Sequence, residues 1–394
     1  MPCYNTQMPS SIWKLQDNIL ENDDKELLIR FIQSTDRFTQ FEKVKLFEKE
    51  WCGWQKCRYS TFVNSGSSAD LVMLDAVKEY YGIPDGAEVL VPAVTWTTNI
   101  TSVVQTRLVP VFVDINLTDL SFDYDKLQKA VTSKTRIILV THLIGVPADI
   151  ALLKEFAEHN KLIILEDCCE SHGATFKGTK VGNFGVAGTF SFYWGHHLTT
   201  VEGGMICTEN EELNDLFMLK RSHGLARELA PSKHQKYKDM YPGVDFNFLF
   251  LTHGYNFRNT ELHAVLGVEQ LKHLDRYIDT RNRNYREFLK VINPISDKLH
   301  VVMREGMSSF CLPFVFKTRN DKDRLHNALV EAGIEHRPII GGNLLRQPCF
   351  ERYGNFRDFP SAEIVHLNGF YIGNNQFVDG ARMQILAGLI TDIF

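Results

Sequence analysis

The sequence is short of several features that mark other classes of protein. None of its apolar runs approaches the ~20 residues that a membrane-spanning helix needs, and residues 1–11 lack the basic and apolar segments of a signal peptide. The formal net charge of -5 gives no general affinity for nucleic acid or for an acidic membrane. We therefore expect a protein that binds neither.

Closely spaced cysteines are also missing. The eight cysteines are scattered along 394 residues, and neither C-x-x-C nor C-x-C occurs. This spacing argues against a zinc ribbon or a tightly spaced iron–sulfur motif. It is typical of reduced thiols, so we expect a cytoplasmic protein.

What the chain does contain, from residue 59, is an alternation of short apolar runs and amphipathic segments. Strands are predicted at 59–63, 88–91, 109–113, 136–140, 162–166, 189–193 and 204–208, and helices at 68–81, 98–105, 124–130, 150–160 and 211–219. This α/β pattern predicts a mainly parallel seven-stranded sheet flanked by helices.

Three domains are predicted. Residues 1–58 read as a helical segment that packs on the body, and residues 59–275 as the large domain. Residues 276–394 read as a smaller C-terminal α+β domain, with a strand at 309–316 and a helix at 321–332. Residues 261–293 fit one long helix or two.

Four polar constellations follow predicted strands, where α/β enzymes keep their chemistry. Each has an ordinary alternative: a serine N-cap, core packing of an indole, metal ligation by Asp167 with Glu170 and His172, or plain loop polarity. They are the small-residue turn Ser65-Gly66-Ser67, Trp96, the carboxylates Asp167 and Glu170, and Ser191 with the pair His196-His197.

Taken in order, these motifs resemble the DegT/DnrJ/StrS sugar aminotransferase branch of the fold type I pyridoxal-phosphate enzymes. The resemblance runs from about Asp36 to the C-terminus. It rests on Asn64-Ser65-Gly66-Ser67-Ser68-Ala69, Val91-Pro92 with Trp96, Glu166-Asp167, Phe190-Ser191-Phe192, Glu202-Gly203-Gly204, Arg221-Ser222-His223-Gly224 and Gly254-Tyr255-Asn256-Phe257-Arg258-Asn259.

The resemblance implies a role for each matching residue. Trp96 would stack on the pyridine ring, and Asp167 would keep the ring nitrogen protonated. His223 and Arg337 are candidates for contacting the substrate or the amino donor. Members of the family work as homodimers whose active sites are shared between the chains. The remaining residues expected to bind the cofactor are Ser65, Gly66, Ser67, Glu170, Ser191 and Asn256.

The chain departs from the family pattern at His196. Most members have the lysine that tethers the cofactor six residues before Glu202, whereas an imidazole cannot hold it covalently. An imidazole can still move protons near neutral pH. The family's dehydratases also have histidine there, and they tend to carry a carboxylate at the position of Glu170.

The resemblance therefore implies a 3-dehydratase of a nucleotide-linked 4-keto-6-deoxyhexose, with GDP-4-keto-6-deoxymannose favoured. Its cofactor would be non-covalent pyridoxal or pyridoxamine 5'-phosphate, and glutamate would be the amino donor. We expect no metal. The related dehydratases with an iron–sulfur cluster carry closely spaced cysteines after the region of Cys207, whereas this chain has none between Cys207 and Cys311, so we expect no cluster either. Three alternatives remain open: an aminotransferase with an atypical active site, a lysine-less pseudoenzyme, and a different dehydration or a keto sugar other than the mannose type. The possible replacement lysines are Lys177, Lys180 and Lys220, in stretches that read as surface hairpin or helix.

Overall fold

The computed structural model describes residues 11–17 and 19–394. Its strands form where β-branched and aromatic residues cluster, since these side chains pack well on a pleated surface. The strands are β1 (Tyr59–Val63), β2 (Glu88–Pro92), β3 (Val109–Val113), β4 (Thr135–Thr141), β5 (Ile163–Asp167), β6 (Thr175–Phe176), β7 (Thr179–Lys180), β8 (Ala187–Ser191), β9 (Gly204–Thr208), β10 (Cys311–Val315), β11 (His336–Arg337) and β12 (Gly369–Gly373).

The helices lie between and around these strands. Among the described helices, none has the length and apolar character needed to cross a membrane. They are α1 (Asn22–Ser34), α2 (Glu42–Gln55), α3 (Gly66–Tyr80), α4 (Thr97–Gln105), α5 (Tyr124–Ala130), α6 (Ile150–Asn160), α7 (Glu211–Arg221), α8 (Pro231–Met240), α9 (Glu261–Leu271), α10 (Leu274–Ile292), α11 (Arg319–Glu331), α12 (Pro360–Asn368) and α13 (Gly380–Ile393).

Seven strands form the central sheet, in the order β1-β9-β8-β5-β4-β2-β3. Only β9 runs antiparallel to its neighbours in this sheet, and the other adjacent pairs are parallel. The predicted mainly parallel seven-stranded sheet is therefore confirmed. The carboxyl ends of β2, β4, β5 and β8 meet at one edge, which is where ligands of such sheets bind.

Apolar side chains cover both faces of the sheet. One cluster joins α3 to β2 and β4 through residues such as Val72, Val91 and Leu139. Another packs α2 and α9 against the end of the sheet that β8 and β9 form, with Phe47 and Phe190 fully buried. Buried on both faces, the sheet is a rigid platform for the loops at its edge.

A second, smaller sheet has the order β10-β12-β11 and is antiparallel. Its core also takes in α10, α11 and α13. Trp13 is buried in this core, and its indole N–H donates to the carbonyl of Gly373 at 2.9 Å. The boundaries predicted at 58/59 and 275/276 stay predictions, and α10 runs across the second.

The largest difference from the predicted elements is at β8. The strand is Ala187–Ser191, whereas the apolar run predicted 189–193. The strand starts earlier because Gly188 packs against Gly182, so a Cβ there would lie 2.6 Å from the Cα of Gly182. It ends earlier because the chain turns after Ser191, with the N–H of His196 donating to the carbonyl of Tyr193.

Candidate active site

A cavity of about 570 Å³ opens at the carboxyl edge of the large sheet, against the smaller unit. It is large enough for a cofactor-sized molecule. Nine of the predicted site residues line it: Ser65, Gly66, Ser67, Trp96, Asp167, Glu170, Ser191, His196 and Arg337.

The turn between β1 and α3 forms one end of the cavity. Ser65 is the N-cap of α3, and its Oγ accepts a hydrogen bond from the N–H of Ser68 at 3.1 Å. The serine N-cap is therefore present, and the free N–H groups and the dipole of such a helix terminus attract anions.

Close packing explains the glycines of this end. A Cβ on Gly66 would lie 2.6 Å from the Cβ of Ser191, and one on Gly204 would lie 2.2 Å from the carbonyl oxygen of Ser65. Real Cβ contacts are not that short, so only glycine lets the turn reach β8 and β9. The Ser191 hydroxyl is thereby brought beside the N-terminus of α3.

Asp167 and Glu170 follow β5. Asp167 is nearly fully buried, and its Oδ1 accepts from the N–H of Cys169 at 2.9 Å. Glu170 accepts from the N–H of Ile144 at 2.9 Å. Burial, with a smaller contribution from the charge of Asp167, raises the pKa of Glu170 to about 8. Glu170 is therefore a neutral hydrogen-bond donor at pH 7.

Glu166, next to Asp167, faces away from the cavity. Its carboxylate accepts from the backbone N–H groups of Gly182, Phe184 and Gly185, and it bonds to His142 Nε2 at 3.0 Å. Burial alone would raise the pKa of Glu166, but the bond to His142 and the backbone donors lower it. Glu166 thus holds the loop after β7 in place.

His196 lies in the loop after β8. Its imidazole packs beside Phe310, with ring centroids 5.5 Å apart, and its buried Nδ1 has no hydrogen-bond partner among the described residues. Burial, followed by the charge of Arg281, lowers the pKa of His196 to about 3. The imidazole is therefore neutral across the physiological pH range.

Arg281 of α10 is a buried cation that sequence reasoning missed. Its guanidinium donates to the main-chain carbonyls of Phe310 at 2.9 Å, of His196 at 3.3 Å and of Asn374. Burial lowers the pKa of Arg281 to about 10, so it remains charged at pH 7. It holds the backbone of the His196 loop and keeps protons off the neighbouring imidazoles.

Two further buried histidines surround His196. The ring centroid of His172 lies 6.1 Å from that of His196 and 5.4 Å from that of His197. His197 Nε2 lies 3.2 Å from the Ser308 hydroxyl, behind the cavity wall. Burial is the main cause that lowers the pKa of each. Of the pair His196-His197, only His196 lines the cavity.

Trp96 is the N-cap of α4 and stands at the mouth of the cavity with 54% of its surface exposed. The residue before it, Thr95, is fixed by a 2.9 Å hydrogen bond between its hydroxyl and that of Thr141. The indole therefore lies at the cavity and is not packed in the core, which was the ordinary alternative for this residue.

Asn256 and His223 are not among the residues that line the cavity. They lie on neighbouring segments: Asn256 pairs with Ser222 and accepts from Arg258 Nε at 3.0 Å, and the N–H of His223 donates to the carbonyl of Tyr255 at 2.7 Å. Their predicted contacts with cofactor or substrate stay predictions.

No lysine is among the described residues that line the cavity. Lys177 and Lys180 belong to the β6–β7 hairpin and its turn, as predicted. Lys220 is not on the surface, however. It is buried, and its charge is balanced because its Nζ pairs with Asp75 and Glu79, each at 2.8 Å.

Other wall residues were not predicted. Tyr193 and Trp194 come from the loop around His196, and Glu202 belongs to the motif Glu202-Gly203-Gly204 that follows it. The smaller unit contributes Phe310, Tyr371 and Asn374, together with Gln16 and Glu335. Tertiary packing brings these residues to the cavity.

Known proteins resemble this chain over nearly its whole length. A model of the DegT/DnrJ/EryC1/StrS aminotransferase family matches residues 19–378. The GDP-4-keto-6-deoxy-D-mannose 3-dehydratase of Yersinia pseudotuberculosis is 34% identical over 380 residues, covering 94% of each chain.

Two solved structures of GDP-4-keto-6-deoxymannose-3-dehydratase have the same fold. A variant with bound GDP-perosamine has a TM-score of 0.89 and 32% identity, covering 96% of this chain and 100% of that one. A structure with a trapped PLP-glutamate geminal diamine has a TM-score of 0.87 and 31% identity, covering 96% and 99%. These dehydratases therefore share both the central sheet and the smaller unit with this chain.

Proposed function

We propose that this chain, which belongs to the DegT/DnrJ/EryC1/StrS aminotransferase family, is a 3-dehydratase. Its substrate is a nucleotide-linked 4-keto-6-deoxyhexose, with GDP-4-keto-6-deoxymannose favoured, and the product is a 3,6-dideoxy-4-keto sugar. The observation that carries the proposal is His196: a neutral, buried imidazole lines a cavity to which the described residues contribute no lysine.

The residues present fit a non-covalent pyridoxamine or pyridoxal phosphate. The N-terminus of α3 and the Ser191 hydroxyl form a cradle that a Cβ on Gly66 would fill. Asp167 bonds to a backbone N–H and to no cation that the structure describes, so its carboxylate remains available for a ring nitrogen. Trp96 offers an indole face for the ring.

Each residue then has a defined task. Ser65, Gly66, Ser67 and Ser191 bind the phosphate, and Asp167 holds a proton on the ring nitrogen by a charge-assisted bond. When bound, the amine form of the cofactor supplies a nitrogen for the sugar ketone and a ring that accepts electrons.

His196 moves the proton. The neutral imidazole would remove a proton from carbon C4' of the bound cofactor, and the low pKa of the resulting imidazolium favours giving that proton up. It would then deliver the proton to the oxygen of the C3 hydroxyl group, which leaves as water. Hydrolysis returns the sugar ketone and releases the nitrogen as ammonia. Phe310 and Tyr193 flank the imidazole, with ring centroids 5.5 Å and 6.2 Å from its own.

Glutamate is proposed as the donor that restores the amine form of the cofactor. Arg337, which lines the cavity, is the candidate partner for the donor carboxylate or for the sugar nucleotide. A guanidinium suits either role, since it binds carboxylate or phosphate through two parallel hydrogen bonds.

Product analysis tests the reaction class. The protein is incubated with pyridoxal phosphate, glutamate and either GDP- or CDP-linked 4-keto-6-deoxy sugars, and the sugar nucleotides are weighed by mass spectrometry. Loss of one oxygen with no nitrogen gained is expected for the GDP substrate. An amino sugar would instead identify an aminotransferase, and no turnover of any keto sugar would favour a pseudoenzyme.

We also propose a homodimer with shared active sites. Trp96 and Tyr193 are about half exposed at the cavity mouth, and Asn256 and His223 lie outside the cavity of their own chain. Light scattering is expected to give twice the chain mass, and mixing His196→Asn chains with Asn256→Ala chains should restore activity. A monomer, or mixtures without restored activity, would contradict the proposal.

A cytoplasmic location is proposed as well. The described cysteines are free thiols, including Cys52 and Cys57, whose sulfurs lie 3.8 Å apart. Thiols this close stay reduced in a reducing compartment. Fractionation of the producing cells is expected to recover the protein with cytoplasmic markers, and recovery with membranes or in the medium would contradict this.

A further inference from the structure

A second buried carboxylate lies beside Asp167 and has no role in the proposed mechanism. Asp70, in the second turn of α3, is 1% exposed. One carboxylate oxygen of Asp70, one of Asp167 and the sulfur of Cys169 all lie within 4.8 Å of one another. Two buried carboxyl groups thus lie close together at the end of β5.

The hydrogen-bond partners of Asp70 are neutral. Oδ1 accepts from the Thr189 hydroxyl at 2.6 Å, and Oδ2 accepts from the Thr98 hydroxyl at 3.3 Å. The Thr189 hydroxyl is also 3.4 Å from the carbonyl oxygen of Glu166. Thr189 can therefore donate to that carbonyl while its oxygen accepts a hydrogen bond from a protonated Asp70.

The cations of the neighbouring helix do not neutralise Asp70. On α7, which packs against α3, Lys220 pairs with Asp75 and Arg221 pairs with Glu48. The other titratable groups that face Asp70 are Asp167, Cys169 and Cys168, and β8 contributes the uncharged Thr189 and Ser191.

We propose that Asp70 is a positioning residue that keeps a proton beside Asp167, so that the two carboxyl groups are not both ionised. Two buried carboxylates this close do not both ionise readily, because each charge disfavours the other. Burial first, and the charge of Asp167 second, raise the pKa of Asp70 well above its usual value. The geometry fits a protonated Asp70, because its described partners are hydroxyl groups and the Thr189 hydroxyl can accept its hydrogen bond.

The consequence is that, of these two carboxyl groups, only Asp167 can offer a negative charge to a group bound in the cavity, and Asp70 adds none. In terms of the proposed function, that charge is reserved for the ring nitrogen of the cofactor. The inference about the pair itself concerns the cofactor-free chain, so its test uses neither cofactor nor sugar.

The first test is infrared difference spectroscopy of the cofactor-free protein at pH 7. The wild-type spectrum minus that of Asp70→Asn is expected to show the band of a protonated carboxyl group. The matched control, Asp279→Asn, removes an exposed carboxylate from α10 and should show no such band. If Asp70→Asn loses only an ionised carboxylate band, the proposal is wrong.

The second test is the pH dependence of the melting temperature, which does not require the two proteins to be equally stable. A carboxyl whose pKa is raised in the folded state costs stability as the pH rises above its unfolded value. Asp70→Asn removes that cost, so its melting temperature relative to wild type should rise between pH 5 and pH 8, by about 2–4 °C. A difference that is the same at both pH values, as expected for Asp279→Asn, would overturn the proposal.

Discussion

The two ends of the cavity are built differently. The end formed by α3 depends on backbone geometry. Ser65 caps the helix, and Ser191 occupies the space that a Cβ on Gly66 would need. At the other end, the His196 ring has an unpartnered nitrogen and sits near a buried cation, Arg281. We propose that the first end binds an anion and that the second, shaped by burial and charge, transfers a proton.

The largest effect should come from the proton-transfer end. His196→Asn removes the base but keeps a polar side chain of similar reach, so we expect dehydration to slow by about 10²–10⁴-fold. Cofactor binding should change little, because the other end is untouched. Single-turnover rates and a cofactor titration would measure both quantities.

His159→Asn, an exposed change on α6, is the control for this comparison. It should dehydrate the sugar at the wild-type rate. If His196→Asn also keeps the wild-type rate, the two ends of the cavity do not divide binding and chemistry in the way that we describe.

An intermediate effect is expected from Gly66→Ala at the anion-binding end. The new Cβ would lie 2.6 Å from the Ser191 Cβ, so the turn must move and lose hydrogen bonds to the phosphate. Loss of one hydrogen bond to a charged group costs about 1.5–3 kcal/mol, so the dissociation constant for pyridoxal phosphate should rise roughly 10–100-fold.

Gly53→Ala is the matched control, since a Cβ on Gly53 would meet nothing within 4 Å. Absorbance titration with pyridoxal phosphate should give the wild-type constant for this variant. Unchanged binding in Gly66→Ala would show that the turn is not the phosphate site.

The smallest effect at neutral pH is expected for Glu170→Gln. Glu170 is protonated below its pKa of about 8 and ionises above it. Glutamine imitates the protonated form, so the variant should match the wild type within a few fold at pH 7. Above pH 8 the wild type gains a negative charge beside Asp167, and the variant does not.

The measurement is the pH profile of kcat between pH 6 and pH 10. A change in the wild-type profile near pH 8 should be missing from the Glu170→Gln profile. If the same change persists in the variant, another group titrates there.

The sequence predicted the platform of the site well. The strands Tyr59–Val63, Val109–Val113 and Gly204–Thr208 lie where their apolar runs indicate. Such strands are buried on both faces, so local hydrophobicity carries the signal. The sheet determines where the polar residues after its strands lie. Nine of the predicted site residues therefore line one cavity.

Other features depend on tertiary packing and leave no local pattern. Glu166 and Asp167 are adjacent carboxylates, yet backbone donors bind one and the other lines the cavity. Arg281 lies 85 positions from His196, to whose carbonyl it donates. Its place on the apolar face of α10, between Ile278 and Tyr285, indicates burial but not the partner. The alternation of side chains along a strand determines which face of the sheet a residue occupies, but its partners there come from distant segments of the chain.

The most direct test of the central claim follows the nitrogen of the amino donor. Wild-type protein is supplied with pyridoxal phosphate, ¹⁵N-glutamate and GDP-4-keto-6-deoxymannose, and the label is measured in ammonia and in the sugar nucleotide. If His196 directs removal of the C3 hydroxyl, the label appears in ammonia and the sugar loses one oxygen without gaining nitrogen. Label retained in the sugar nucleotide would contradict the account and identify a transamination.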